Sequence, residues 1–300
     1  KLFSLGKQYY TGIFPKNKKT KVPSGKLELL KCNYCSLVQL SENFNLKKMY
    51  GKNYGYRTGL NSSMVKHIEQ KVKYLKSIIK LKENDIILDI GSNDGTLLKC
   101  FNYSKYNLIG IDPTISKFKK YYPKKIKKIA NFFNKKNLMP FIGRKKAKLI
   151  TSIAMFYDLP DPTSFAKNIY SLLDDNGIWH LEQSYSGSMI ENLSYDTICH
   201  EHLEYYSLKS IKHILDKVNL KIIDIKFNEI NGGSFALSVA KRNSPLLSNK
   251  KKISKILSKE KVKKINSTQI YINFYKRISA EKIKLINLLK KIKKNKKIVI

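Results

Sequence analysis

A regular alternation of short apolar runs with helical segments constrains the fold of this chain more than any other feature. The apolar runs lie at 86–90, 107–112, 127–130, 147–154 and 177–183. A helical segment that runs to Leu173 is opened by Pro162, a residue well placed in a first helical turn. Strand–helix alternation of this kind predicts a parallel sheet with helices on both faces.

A predicted hairpin closes the alternating region. The runs 220–229 and 234–241 flank Asn231-Gly232-Gly233, which is a strong turn signal. A hairpin makes the last strand antiparallel to its neighbour, and a nicotinamide-binding domain would normally lack it. We therefore expect an α/β fold with a doubly wound sheet and a reversed last strand, which resembles the Rossmann-like fold of class I methyltransferases.

The two ends of the chain differ from this middle region. Residues 1–58 look irregular apart from a short strand at 36–40, and residues 245–295 show helical periodicity with solvated Lys faces. The last five residues, 296–300, look like the start of a strand. We predict a partial N-terminal lobe at 1–58, a central domain at 59–243 that opens with a helix over 61–82, and a helical segment at 244–300 that begins a further α/β domain.

The charge of the chain invites a second interpretation. Its formal net charge is +37, which would suit RNA because clustered cations release phosphate counterions. Only four of the 59 basic residues are Arg, however, and Arg is the residue that forks onto phosphates and bases. Abundant Ile, Asn and Tyr, all with AT-rich codons, favour a low-GC genome that places Lys on solvated faces. We expect no specific nucleic-acid partner and keep an RNA methyltransferase as the alternative.

Cysteine usage and hydropathy bear on the compartment. Four cysteines in 300 residues do not form a disulfide scaffold, so a reducing cytoplasm is the simplest location. No run reaches 18 apolar residues, so no membrane span is predicted.

A Gly-rich turn after the first apolar run is the sharpest motif. It reads Asp89-Ile90-Gly91-Ser92-Asn93-Asp94-Gly95. Glycines let the backbone turn tightly, and a helix start offers N–H groups to a carboxylate such as that of a methionyl ligand. The G-x-x-x-G spacing disfavours a dinucleotide. We predict an S-adenosylmethionine site formed by Asp89, Gly91, Ser92, Asn93 and Gly95, with Asp112 on the ribose hydroxyls and Asn131 and Phe132 beside the adenine.

These residues, together with three further segments, resemble the C-methyltransferases that act on nucleotide-linked deoxysugars. The matching segments are Cys32-x2-Cys35 with Leu37–Leu40 and Tyr54-Gly55-Tyr56, then Glu182–Tyr185, then Cys199-His200-Glu201-His202 through Ser207 with Asn231–Ser234. The resemblance covers nearly the whole chain. Family members look longer at both ends, so the chain looks truncated at both.

The resemblance implies a catalytic cluster. Methyl transfer to carbon needs an enolate, and a keto sugar carries an acidic proton next to its carbonyl. A His near its ordinary pKa can remove that proton at neutral pH. By resemblance His202 is the base and Glu201 its neighbour, while Tyr54 or Tyr56 approaches the substrate. Tyr185, His200, Asn231 and Ser234 are the predicted substrate-binding residues.

Two positions depart from the family pattern. The family has Tyr where Cys199 stands and His where Asp158 stands, and both look like active-site positions. Asp158 therefore joins the catalytic candidates, and it is the next candidate base after His202. A pair of His ligands at His200 and His202, or a purely structural role for both, stays open, and so does a chain that binds without catalysis.

Cys32 and Cys35 have the spacing of a zinc knuckle. In the family a second Cys pair, N-terminal to the first, completes a four-Cys site. Two thiols alone do not close a tetrahedral site, so the sequence predicts a possible but incomplete zinc site.

Overall fold

The computed structural model describes residues 1–11, 13, 15, 17, 19, 21–50 and 54–294. The strand predicted at 296–300 lies outside these residues. In chain order the strands are β1 (Phe3–Tyr9), β2 (Ser24–Lys31), β3 (Val38–Leu40), β4 (Ile86–Ile90), β5 (Asn107–Ile111), β6 (Lys127–Ile129), β7 (Ala147–Ile153), β8 (Leu173–Ser184), β9 (Glu204–Tyr205), β10 (Leu220–Asn228) and β11 (Ser234–Lys241).

Ten α-helices accompany these strands in the described residues. They are α1 (Leu46–Met49), α2 (Ser62–Ile78), α3 (Thr96–Lys99), α4 (Ile115–Phe118), α5 (Lys135–Ile142), α6 (Pro162–Leu172), α7 (Ser186–Glu191), α8 (Leu208–Lys217), α9 (Lys250–Val262) and α10 (Thr268–Lys293). None of the helices in these ranges combines the length and apolar character that a membrane span requires.

The central sheet has seven strands in the order β10-β11-β8-β7-β4-β5-β6. Strands β8, β7, β4, β5 and β6 pair in parallel, and β11 pairs antiparallel with both β8 and β10. The turn between β10 and β11 needs residues that tolerate positive φ, and Asn231 and Gly232 have φ of 53° and 77°. The doubly wound α/β sheet with a reversed last strand is therefore confirmed.

Local sequence explains where the principal helices begin. The Asn61 side chain accepts a hydrogen bond from the Met64 amide and caps α2. Ser207 and Ser210 form a capping box that starts α8. The predicted helix over 61–82 ends earlier, at Ile78, because Ile79 is already extended.

The irregular structure predicted for 1–58 is wrong for two segments. β1 and β2 form an antiparallel pair in which Phe3 lies opposite Leu29. Leu27 and Leu29 are buried and alternate with the partly exposed Glu28. This alternation spans too few residues to stand out among the surrounding Lys and Gly.

The N-terminal strands form a second sheet that the central region completes. Its order is β1-β2-β3-β9, and β9 joins it by pairing Glu204 with Gln39. Helix α10 packs Tyr271 and Phe274 into the same apolar cluster as Leu29. The N-terminal lobe is therefore held by β9 of the central region and by α10, which follows that region.

A buried charged network fixes α2 against the central sheet. Glu182 of β8 lies 2.6 Å from both the His67 Nε2 atom and the Lys71 Nζ atom, and Asn228 donates to it at 2.7 Å. These bonds outweigh the desolvation of the carboxyl and lower the pKa of Glu182 to about 2. Met64 and Ile68 on the same helix line the cavity described next.

Candidate functional site

A cavity of about 400 Å³ lies at the carboxyl ends of β4, β5 and β7. In open α/β sheets ligands bind at this end of the strands, and the volume is in the range of small-ligand sites. The sequence-predicted residues that line it are Tyr54, Tyr56, Asp89, Gly91, Ser92, Asn93, Asp112, Phe132 and Asp158. The structure thus brings most of the predicted cofactor residues to one cavity.

The Gly-rich loop is held by its neighbours in a conformation that needs glycine. Gly91 has φ of +74°, and a Cβ there would meet the Met155 Cγ atom at 3.0 Å. Gly95 has φ of +75° and does not line the cavity, because the Tyr122 ring lies 2.6 Å from where its Cβ would be. Tyr122 donates to the Ser92 hydroxyl at 2.8 Å and to the Asn93 carbonyl at 3.0 Å. Gly95 therefore serves the packing of the loop.

Residues 56–59 cross the loop and are bonded to it. The Asn93 side chain accepts from the Thr58 amide at 3.0 Å and donates to the Tyr56 carbonyl at 3.3 Å. Buried Asp94 accepts from Arg57 at 3.0 Å and from the Gly59 amide at 3.1 Å. This strap carries Tyr56 to the cavity wall.

The donors expected at the start of α3 are partly occupied. Asp94 Oδ1 accepts from the Thr96 amide at 3.2 Å and from its hydroxyl at 2.6 Å. The Thr96 amide, one of the helix-start donors predicted for a ligand carboxylate, is therefore already bonded within the chain.

Two buried carboxyls face the cavity. Asp112 accepts from the Thr114 amide at 2.6 Å and hydroxyl at 2.5 Å, and from the Asn93 amide at 3.0 Å. Burial raises its pKa despite these bonds. Burial also raises the pKa of Asp89 to about 7; the Thr151 hydroxyl bond opposes this and the Asp112 charge adds to it. Such a pair favours a ligand that carries positive charge.

Aromatic rings form another wall of the cavity. Phe132 and Phe133 line it, and Phe133 packs against Phe165 with ring centroids 4.9 Å apart. Asn131 is exposed and lies outside the lining.

Asp158 stands at the far side of the cavity, in a 3₁₀ turn after β7. Its Oδ2 accepts a hydrogen bond of 2.6 Å from the Tyr50 hydroxyl. Its buried Oδ1 has no hydrogen-bond partner among the residues that the structure describes. Burial raises its pKa to about 7, although the His202 charge and the Tyr50 bond act in the opposite direction.

His202 lies behind Asp158, on a separate small cavity that it shares with Tyr157 and Tyr185. Its Nδ1–H donates to the Thr197 carbonyl at 2.7 Å, which leaves Nε2 as the basic nitrogen. Burial alone would lower the pKa of His202, but the Cys199 sulfur and the Asp158 carboxylate together raise it to about 9. Glu201 beside it has a pKa raised by burial, and its Oε1 has no partner in the described part of the chain.

The other predicted substrate residues do not reach the large cavity. His200 is buried beneath the N-terminal sheet, where it donates to the Gly25 carbonyl at 3.2 Å. Asn231 is exposed in the hairpin turn, and Ser234 donates to the Ile230 carbonyl at 2.8 Å. The substrate-binding roles of His200, Asn231 and Ser234 stay predictions. These residues could contact only a substrate that extends beyond the cavity.

The two knuckle cysteines are free thiols in the N-terminal lobe. Among the described ranges no group of three or more His, Cys, Asp or Glu side chains is arranged to hold a metal ion. The zinc prediction gains no support from this part of the chain.

Sequence reasoning missed Tyr50 as a site residue. Tyr50 lines the cavity together with Met155 and with Met64 and Ile68 of α2. The run Tyr50, Tyr54, Tyr56 was the available signal for Tyr50, since clustered Tyr residues often mark a site where one end of the ring meets polar groups.

Two family models match the chain. A family model described as a methyltransferase domain matches residues 63–225, and one described as a C-methyltransferase C-terminal domain matches residues 229–300. The C-methyltransferase NovU of Streptomyces niveus is 25% identical over 215 residues, which are 71% of this chain and 51% of that protein. The chain thus spans about half the length of the curated relative it matches.

Some solved structures are similar to part of the chain at low identity. A Leishmania major SAM-dependent methyltransferase is 12% identical, with a TM-score of 0.48 over 60% of this chain and 74% of that one. The plantazolicin methyltransferase BpumL, solved with SAH, is 16% identical, with a TM-score of 0.45 over 58% of this chain and 82% of that one.

Proposed function

The chain belongs to the methyltransferase-domain family, and from that premise we propose that it methylates a carbon atom of a nucleotide-linked keto-deoxysugar. C-methylation with S-adenosylmethionine agrees with the family match and with the NovU relative. The keto sugar and the enolate route are the proposal. The observation that carries it is the cavity at the carboxyl ends of β4, β5 and β7, which is lined both by the Gly-rich loop and by Asp158.

The residues of the cavity fit S-adenosylmethionine. Asp112 can accept from two ribose hydroxyls, and Phe132 offers a ring face to the adenine. The paired carboxyls Asp89 and Asp112 suit a ligand that carries ammonium and sulfonium charges. When bound, the cofactor supplies an electrophilic methyl group.

We expect Asp112→Ala to weaken S-adenosylmethionine binding about 30- to 150-fold. The variant removes an acceptor for two hydroxyls, which is worth on the order of 2–3 kcal/mol. Titration calorimetry measures the change, with the exposed Asp175→Ala as control. An unchanged affinity would rule out Asp112 as the ribose acceptor.

Cofactor affinity should also rise with pH. A cationic ligand binds the ionised form of Asp89, whose pKa is about 7. Between pH 6 and pH 8 that form grows from about a tenth to about nine tenths of the population, so affinity should increase about tenfold. Calorimetry on Asp89→Asn should give a flat profile, and a flat profile in the wild-type chain would contradict the assignment.

Proton removal precedes bond formation in the proposed reaction. His202 is the base that the family resemblance assigns, with Glu201 beside it and Asp158 as the second group able to accept a proton. Tyr54 and Tyr56 line the cavity from the N-terminal side and are proposed to approach the substrate. Tyr185, His200, Asn231 and Ser234 are proposed to contact the nucleotide part of a larger substrate. Cys32 and Cys35 are proposed as half of a zinc site.

A substrate screen tests this function. The chain is incubated with S-adenosylmethionine and a panel of nucleotide keto-deoxysugars, and products are followed by mass spectrometry. We expect a mass increase of one methyl group on one class. In deuterated water without cofactor, the same sugar should exchange one carbon-bound proton. Methylation of an RNA panel in place of every sugar would overturn the proposal in favour of an RNA methyltransferase.

A further inference from the structure

Among the residues that the structure describes, Tyr50 makes the one hydrogen bond to the Asp158 carboxylate, and it comes from the N-terminal lobe. It follows α1, whose Met49 is buried in the N-terminal core, and its hydroxyl reaches 2.6 Å from Asp158 Oδ2. Its ring packs against Tyr54, with centroids 4.9 Å apart. The two side chains together form a wall of the cavity.

From this geometry we infer that Asp158 is the group that takes the substrate proton, and that Tyr50 is the positioning residue that holds it. Tyr50 occupies Oδ2 and leaves Oδ1 without a partner among the described residues. Asp158 faces the cavity that the cofactor loop also lines, whereas His202 opens onto a different one. A base must come within hydrogen-bond reach of the proton it removes.

The electrostatics agree with that order of roles. The charges of His202 and Glu201, from the segment before β9, act on Asp158, and so does the hydroxyl of Tyr50. The other titratable groups around it are Tyr54 from the N-terminal lobe, Tyr205 and Tyr206 at β9, and Tyr157 on its own turn, and the charge of Asp158 helps to raise their pKa values. The pKa of His202 is about 9 and that of Asp158 about 7. At pH 8 the imidazole is protonated and the carboxylate is ionised, so the carboxylate is the available base.

This proton transfer involves only the substrate and Asp158, and no other reactant is needed to balance its atoms and electrons. It rests on the proposed enolate route. The C–H bond next to the carbonyl breaks, and the proton passes to the Asp158 carboxylate. The electron pair of that bond forms the carbon–carbon double bond of the enolate, and the carbonyl pair moves onto oxygen. His202 stays protonated behind Asp158 and keeps it ionised until the proton arrives.

Tyr50→Phe tests the pair. Removing the hydroxyl bond should raise the pKa of Asp158 from about 7 to about 8. The acidic limb of kcat/KM should move by the same amount, so that the variant is about fivefold slower at pH 7 and equal to wild type at pH 9. Tyr74→Phe is the matched control, because Tyr74 makes a similar bond of 2.9 Å to Asp224 away from the cavity. It should leave the profile unchanged.

A measurement without substrate separates this inference from the proposed function. Carbon-13 NMR titration of Asp158 in the wild-type chain should give a pKa near 7, and a value near 4 would overturn the inference even if a sugar is methylated. An unmoved Asp158 pKa in Tyr50→Phe would also overturn it. If no sugar reacts while both titrations behave as expected, the Tyr50–Asp158 pair stands and the substrate class fails.

Discussion

An Asp158→Asn enzyme is expected to turn over about 100-fold or more slowly at every pH, which is the usual scale for a lost general base. The amide has the shape of the carboxyl and can still accept from Tyr50, so folding and the cavity wall should persist. Affinity for S-adenosylmethionine should stay within about twofold, because Asp158 lies away from the Gly-rich loop that we propose holds the cofactor. Initial rates across pH 6–10 and calorimetry together measure both effects.

His202→Asn is the companion experiment, because it distinguishes the two candidate bases. Loss of the imidazolium removes the charge that keeps Asp158 ionised, so turnover should fall at pH 7 and recover in part as the pH rises. Deuterium exchange into the substrate should follow the same profile. A loss of 100-fold or more at every pH, together with an active Asp158→Asn enzyme, would return the role of base to His202.

Glu182→Gln is expected to cost about 3–5 kcal/mol of folding free energy, because it leaves Lys71 buried without a counter-charge. Lys71 is 8% exposed and Glu182 2%, so water cannot compensate. Urea unfolding at pH 7 measures the loss. The matched control is the double variant Lys71→Met with Glu182→Gln, which removes both charges and should be more stable than Glu182→Gln alone.

The lowered pKa of Glu182 also predicts how the free energy of unfolding changes in acid. The pKa of Glu182 is lowered from 4.5 to about 2 in the folded chain. Its stabilisation is therefore complete above the unfolded pKa and is lost as the pH falls from about 4.5 through 2. Wild-type stability should decline steeply in this window, whereas Glu182→Gln should show a flatter profile. Parallel acid profiles for the two chains would contradict the assignment of this pair.

The central fold could be predicted because its signals are local. The apolar run 86–90 coincides with β4. The predicted turn falls at Asn231 and Gly232, two residues that adopt the positive φ values the turn requires. Asn61 and Ser207 start helices by the capping rules. The tight Gly-rich turn could be predicted because Gly91 and Gly95 adopt positive φ values that most other residues avoid.

The far side of the site could not be predicted in the same way, because it depends on long-range contacts. Tyr50 and Asp158 are 108 positions apart, and only the packing of the N-terminal lobe brings them to 2.6 Å. The location of His202 behind the cavity wall has the same origin. The resemblance could name the residue types of the cluster, but it could not rank the pKa values of Asp158 and His202, since burial and neighbouring charge set them.

The pairing of Glu204 with Gln39 has a consequence for exchanging parts between relatives. A shortened chain that begins at residue 59 would bare the hydrogen-bonding edge of β9 and the apolar side of α10, and exposed edges of this kind recruit other chains. A chimera in which residues 1–58 come from a related protein must therefore also take the segment around 199–206 from that same relative. The smallest transplantable unit of this protein is discontinuous in its gene.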